Sequence, residues 1–152
     1  MGRVRAAQTV PGLASEAEEL WYDPRRWPAW IDGFGAVVSI EGEWPAAGAR
    51  AVWDSRPGGR GRVAERVTAY EARGGQTLEV EDEKLLGTQR VAFEPGPDGV
   101  QVVLELEYEL KGGNAFTPLT DVLFVRRALR DSLRRSLLRF ARERRGDIEL
   151  LG

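Results

Sequence analysis

The side chains that most often carry out chemistry are missing from this chain, which has no cysteine and no histidine. Their absence removes thiolate nucleophiles, disulfides, histidine-dependent triads, histidine acid/base catalysis and histidine-ligated zinc together. Recognition or reaction must therefore rest on carboxylates, tyrosine, arginine, lysine or backbone groups. Two such side chains occupy suggestive positions. Asp82 continues the alternating set Leu78 and Val80, and a carboxylate aimed at apolar space is costly unless paired or protonated. It reads as a wet residue at a sheet rim, as an anchor for a ligand hydroxyl, or as a general base. Tyr108 closes the set Val102, Leu104 and Leu106; it is either a core ring with its hydroxyl at the rim or a donor that orients a ligand. The clusters Gly58-Gly59-Arg60-Gly61 and Gly112-Gly113 lack the spacing and following helix of a phosphate-binding loop and read as turns. Neither a metal nor a cofactor is expected.

These residues need a scaffold, and the hydrophobic pattern supplies one. Residues 3–10 read as a first strand, punctuated by Pro11-Gly12. Ser15 as N-cap and Glu18 three residues later resemble a capping box, opening a short helix that stops before Pro24. A second short helix covers about 25–31, with Trp27, Trp30 and Ile31 on one face. From Phe34 the period becomes two. Residues 36–44, 49–56, 61–72, 76–85, 87–95 and 99–111 read as strands joined by short Gly/Pro-rich connections, which favours antiparallel hairpins. Val100, Val102, Leu104, Leu106, Tyr108 and Leu110 alternate with a mostly acidic set, so one face is buried and the other wet.

The cover for that sheet comes from the C-terminal end. After Gly112-Gly113-Asn114, residues 118–145 read as one helix with Pro118 in its first turn. Leu119, Val122, Leu123, Leu129, Leu133, Leu137 and Phe140 form its apolar stripe. At 1.5 Å per residue it would run about 40 Å, enough to cross the sheet, and Leu133 should be buried against it. The expected fold is α+β, one antiparallel sheet of about six or seven strands and a long C-terminal helix, in a single domain over 1–152.

The 152 residues, 42% hydrophobic and 30% charged, place the chain among soluble globular proteins. No run approaches the roughly 20 apolar residues of a membrane span, and no signal peptide is visible, so a cytoplasmic protein is expected. Net charge is −2, yet residues 118–145 hold nine arginines against Asp121, Asp131 and Glu143. Without a nucleic-acid motif or interleaved aromatics, this series is expected to be a solvated face pairing with nearby acids, not a nucleic-acid site. A homodimer stays open.

The segment Leu20-Trp21-Tyr22-Asp23-Pro24-Arg25-Arg26-Trp27-Pro28-Ala29-Trp30 resembles the D-P-x-x-W-P-x-W signature of the SRPBCC superfamily, which includes START-like lipid-transfer domains and the polyketide cyclase/dehydrase group. Gly87-Thr88, leading to Phe93, resembles the same family's G-T strand edge. The resemblance covers nearly the whole chain and implies a helix-grip fold, a curved sheet around the last helix, with a cavity between them for a hydrophobic small molecule. Alternation then names a lining: Leu78, Val80, Asp82, Val91, Phe93, Val102, Leu104, Leu106 and Tyr108 from the sheet, and Leu119, Val122, Leu123 and Leu129 from the helix. Trp30, Phe34 and Trp53 are candidates at the mouth. Two functions fit such a space: a binder or carrier of a lipid, polyketide or aromatic molecule, and a cyclase or dehydratase that uses a carboxylate or tyrosine for proton transfer. Several polar groups converging on a closed pocket would favour the second.

Overall fold

The computed structural model describes residues 2–112 and 119–151, with Leu119 and Thr120 described by their backbone alone. The Gly113-Asn114 turn, Pro118 and the Leu119 side chain lie outside the described residues. Strand β1 (Gly2–Val10) leads to helix α1 (Ala14–Tyr22), a 3₁₀ turn (Pro24–Arg26) and helix α2 (Trp27–Trp30). Six strands follow: β2 (Phe34–Glu41), β3 (Arg50–Ser55), β4 (Arg62–Glu71), β5 (Gly75–Glu81), β6 (Leu85–Gly96) and β7 (Gly99–Leu110). Helix α3 (Leu119–Leu151) closes the chain. The strands form one curved antiparallel sheet in the order β1-β7-β6-β5-β4-β3-β2, so the first strand pairs with the last.

The expected alternation sets the register. Val4 pairs opposite Leu106, Ala6 opposite Leu104, and Val10 opposite Val100. All six are buried, forming a continuous apolar face across β1 and β7. Gly2 pairs opposite Tyr108, and a Cβ at this position would collide with the tyrosine ring. Glycine there is what lets the ring lie against the sheet.

The first helix begins earlier than its sequence signal. Leu13 is the N-cap, and Glu16, not Glu18, reaches back to accept the Leu13 N–H at 2.8 Å. Glu18 does different work. It is 3% exposed and accepts the Arg73 backbone N–H at 2.7 Å and the Arg73 Nη1 at 2.9 Å. Arg73 sits in the β4–β5 turn with φ of +66°, a left-handed conformation few non-glycine residues adopt. The buried carboxylate holds that turn against α1.

Helix α3 packs on β1, α2 and α1 through Ser136, Leu137, Phe140, Ala141 and Arg144, all buried at helical spacing. Its 33 residues run about six beyond the expected end; Gly146 does not stop it, and Asp147 just beyond pairs with Arg26 at 3.0 Å. Two expectations need correction. Val122 and Leu123 are 41% and 53% exposed. They lie on roughly the same angular face as Leu137, but the core ends before reaching them, because periodicity reports direction and not what lies opposite. Leu133 and Leu129 are half-buried, packed against the core's edge. The arginines are not uniformly solvated either. Arg144 is buried, 3.4 Å from Glu16 and 3.7 Å from Asp147.

Leu137, 1% exposed, is with Phe140 the helix's main apolar contact. Leu137→Ala should cost about 2–5 kcal/mol in urea melts, the usual range for a core truncation, and Leu133→Ala less than half as much.

Candidate functional site

Helix α3 meets the sheet at β1, and between its central stretch and strands β3 to β7 tryptophans fill most of the space. The Trp27 indole donates to the Trp21 carbonyl at 2.9 Å, fastening α2 to the end of α1. Trp21 and Trp30 lie 4.4 Å apart, each meeting the edge of Phe140 at 5.2 Å. Phe34 stacks on Trp53 at 5.0 Å. What remains is a cavity of about 70 Å³. Trp21, Trp27, Trp30, Trp44 and Trp53 line it, with Leu78, Val80 and Leu104 from the sheet and Leu133 from α3.

Its polar lining comes from inward sheet positions. Glu65 alternates with Val63 and Val67 on β4, and its Oε1 accepts the Trp53 indole N–H at 2.5 Å. Burial pushes the Glu65 carboxyl above its ordinary range, a shift the Trp53 hydrogen bond and the Arg60 charge only partly offset. Arg60 lies over the Trp53 ring, 5.5 Å from its centroid, and donates from Nε to Asp82 at 2.8 Å. Gln76 and Gln89 are the other polar residues presented by the sheet; the Gln76 amide donates to the Pro45 carbonyl at 3.1 Å. The Trp30 N–H is buried and has no hydrogen-bond partner among the described residues.

Asp32, just after α2, closes the helical side. Its carboxylate accepts from Ser132 at 2.7 Å, from Arg135 at 3.2 and 3.0 Å, and from Arg139 at 3.1 Å. Its backbone N–H donates to Ser136 at 2.9 Å. Burial alone would raise the Asp32 carboxyl, but the hydrogen bonds from Arg135 and Ser132 and the two arginine charges hold it below its ordinary value. Asp32, Ser132 and Ser136 all border the cavity, so this latch forms part of its wall.

Of the sheet and helix residues expected at the site, Trp30, Trp53, Leu78, Val80 and Leu104 line the cavity. Trp30, Phe34 and Trp53 are core residues at 4% exposure or less, not a mouth. Val91, Phe93, Val102, Leu106 and Tyr108 are buried but pack within the core away from the space. Burial also raises the Tyr108 hydroxyl above its ordinary value. Leu129 is half-buried outside the cavity, while Val122 and Leu123 face solvent. Asp82 is neither wet nor a ligand anchor. It is 3% exposed, and besides Arg60 it accepts the backbone N–H groups of Lys84 and Leu85 at 2.7 and 2.9 Å, building the β5–β6 turn.

Sequence reasoning passed over Asp32, Arg60, Glu65, Gln76, Gln89, Ser132 and Ser136. For Glu65, Gln76 and Gln89 the signal was present, since each holds a position the alternation reserves for an apolar side chain. A larger hollow of about 590 Å³ lies on the outer sheet face beside Arg66, Glu79, Glu107 and Glu109. It is an open surface of mixed character, where Ala64 and Leu86 lie among the charged side chains and Arg66 and Glu79 pair at 2.8 Å. Among the described residues no acidic cluster is arranged to hold a metal ion, and no helix is long and apolar enough to cross a membrane.

A family model described as polyketide cyclase/dehydrase and lipid transport matches residues 1–144. The chain belongs to that family. Its helix-grip architecture recurs in solved structures. A Staphylococcus aureus protein of unknown function aligns over 97% of this chain and 96% of its own, with a TM-score of 0.74 at 12% identity. The di-domain aromatase/cyclase StfQ of the steffimycin biosynthetic pathway aligns over 95% of this chain and 51% of its own, with a TM-score of 0.72 at 19% identity. DynU16, a putative protein of the dynemicin biosynthetic locus, gives a TM-score of 0.67 at 18% identity, over 92% of this chain and 46% of its own. The chain thus spans about half the length of StfQ and DynU16. At these identities the likeness is one of fold. No curated protein sequence matches the chain.

The raised Glu65 carboxyl has a consequence for stability. The native state holds this proton more tightly than the unfolded chain, so Glu65's contribution is complete below the ordinary value near 4.5 and is lost as pH rises through the raised one. Glu65→Gln carries no charge, so its stability relative to the parent should rise with pH across that window in urea melts. A difference that stays flat as pH is raised above about 4.5 would contradict the assignment.

Proposed function

We propose that this protein binds one small apolar or aromatic molecule in the tryptophan-lined cavity under α3, with the inward polar groups of the sheet holding the ligand's polar end. The observation that supports it is the pairing of an aromatic wall with a carboxyl, Glu65, at an inward sheet position, the apolar-plus-few-polar composition typical of ligand sites. The family includes both lipid transport and polyketide cyclisation, so a hydrophobic guest is common to its activities.

Size limits the guest. About 70 Å³ is well below the roughly 300–1,000 Å³ of sites for drug-sized ligands. The closed form takes a molecule of about one ring, and anything larger requires α3 to move from the sheet. The N-terminal turns of α3 are loosely held, since Val122, Leu123 and Phe124 are exposed.

A second reading, a cyclase or dehydratase, is favoured by one specific feature. Glu65, Gln76 and Gln89 line the same cavity, and a carboxyl whose proton affinity burial raises is a candidate for giving and taking a proton. The carrier reading is preferred because Trp53 already engages one Glu65 oxygen and no second titratable group is left free there to complete a proton relay: Asp32 is saturated by Ser132 and two arginines.

Native mass spectrometry of the protein as purified, together with melting-temperature shifts across small aromatic compounds, tests the proposal. A guest present at a hundred times its dissociation constant should stabilise the fold by about 2.7 kcal/mol. Val80→Phe, which fills the cavity from its floor, should abolish the shift. Glu107→Ala on the outer face should leave it intact. Equal shifts in all three proteins would place binding outside the cavity and sink the proposal.

A further inference from the structure

We propose that the outward side of α3 is a docking surface for an anionic lipid bilayer. This goes beyond the cavity and does not rest on what the cavity holds. The arginines of α3 divide into two sets. Arg135 and Arg139 reach across to Asp32, and Arg144 lies beside Glu16 and Asp147. Arg127, Arg134, Arg142 and Arg145 are exposed, and among the described residues none of the four has a carboxylate within 4.0 Å. Their spacing places them on one side of the helix, away from the buried Leu137 and Phe140. Two large apolar side chains share that side: Phe124, 73% exposed, and Leu138, 52% exposed. Asp131, the acid within this stretch, is half-buried. From Phe124 to Arg145 the stripe runs about 32 Å at 1.5 Å per residue.

Charge sets the sign of the partner. Four arginines in a row without acids of their own require phosphates or carboxylates opposite them, and a guanidinium fork matches phosphate well. The far surface of the domain, the outer sheet face, carries Glu79, Glu81, Glu107 and Glu109. A negatively charged plane therefore attracts the α3 side and repels the opposite one, which favours a single orientation. The apolar side chains set the kind of partner. A nucleic-acid duplex would meet the arginines but leave Phe124 and Leu138 against water or phosphate. A folded acidic protein would need a recess shaped to each protruding side chain. A bilayer interface is both anionic and yielding: Phe124 and Leu138 enter among the acyl chains while the arginines stay at the level of the phosphates. Among the described residues no helix is long and apolar enough to cross the membrane, so the docking lies on its surface.

Co-sedimentation of the whole chain with vesicles tests the assignment, using phosphatidylcholine alone and phosphatidylcholine with about one third phosphatidylserine. At low salt the anionic vesicles should bind at least about tenfold more protein, and the excess should fall away as salt rises from about 50 to about 500 mM. Arg134→Gln and Arg142→Gln should each weaken binding about fivefold, and Phe124→Ala about tenfold. Arg66→Gln, on the outer sheet face, should change it less than about twofold. All four positions are exposed, and urea melts should show the fold unchanged. The chain has no cysteine, so Phe124→Cys carries a single environment-sensitive dye, whose emission should shift to the blue on anionic vesicles and not on neutral ones. Absence of binding to anionic vesicles, equal binding to neutral ones, or a loss in Arg66→Gln as large as in Arg134→Gln would overturn the proposal. Tighter binding to a short DNA duplex or to polyglutamate, with Phe124→Ala without effect, would overturn it in favour of another polyanion. Each of these results leaves the cavity reading standing.

Discussion

A carboxyl placed on the buried face of a sheet must find a hydrogen-bond donor, and Glu65 finds the Trp53 indole at 2.5 Å. Much of the surrounding structure follows from that bond. It fixes one edge of the Trp53 ring, whose face then receives Phe34 on β2 and the Arg60 guanidinium from the β3–β4 connection. Arg60 in turn engages Asp82, which caps the β5–β6 turn. A chain of contacts thus runs from the edge strand β2 to the middle of the sheet through a single indole. Glu65 also faces Val80 across the β4–β5 ladder, and Leu78 faces Gln89 across β5–β6, so polar positions recur among apolar ones on three neighbouring strands. A helix pressed directly onto that row would strip water from a carboxyl and amides without replacing it. Tryptophans bridge the gap instead, because each brings a large apolar surface and one N–H donor.

The same logic disposes of the arginine-rich helix. Its guanidinium groups serve acids on the opposite wall: Arg135 and Arg139 meet Asp32, and Arg144 lies close to Glu16. Arg26 completes the set from the other direction, reaching Glu143 and Asp147 on α3. The local excess of positive charge is therefore partly balanced by α1 and the α2–β2 loop. Exposed pairs of this kind add little stability individually, but those at Asp32 are partly shielded and converge on one carboxylate. They fix where α3 sits relative to α2, and so set the height of the cavity.

The architecture was legible because alternation and helical periodicity are local signals with one physical cause. Val100 to Leu110 point alternately in and out whatever else the chain does, and the switch to a helical period after Gly112 marks the covering element. The first-strand-to-last pairing was not legible, since nothing local in residues 2–10 names β7 as their partner. The cavity was legible only in part. Trp30, Trp53, Leu78, Val80 and Leu104 were found because apolar residues on an inward face are expected there. Asp32 and Ser132 are 100 residues apart, and no spacing rule connects them. Asp82 was misread for an instructive reason: alternation carried it inward correctly, but β5 ends at Glu81, and the nearest donors to a carboxylate just past a strand's end are the following turn's own N–H groups. Val122 and Leu123 failed for the converse reason, being apolar and correctly phased but beyond the end of the surface that would bury them.

The walls of the cavity are held by contacts of different kinds. Trp21, Trp27 and Trp30 are tied to one another and to Phe140, and the sheet beneath is hydrogen-bonded throughout, so neither wall yields without loss of core packing. The Asp32 latch differs. Its bonds are polar, partly exposed and all to one carboxylate, so a single displacement of the α2–β2 loop releases Ser132, Arg135 and Arg139 together. Separated groups would be met by water, which makes this opening less costly than parting tryptophans from aliphatic side chains. Above the latch, the first turns of α3 carry exposed Val122, Leu123 and Phe124 and offer little resistance to movement. The cavity is therefore held by a polar clasp on one side and by aromatic packing on the other, and the two depend on different residues.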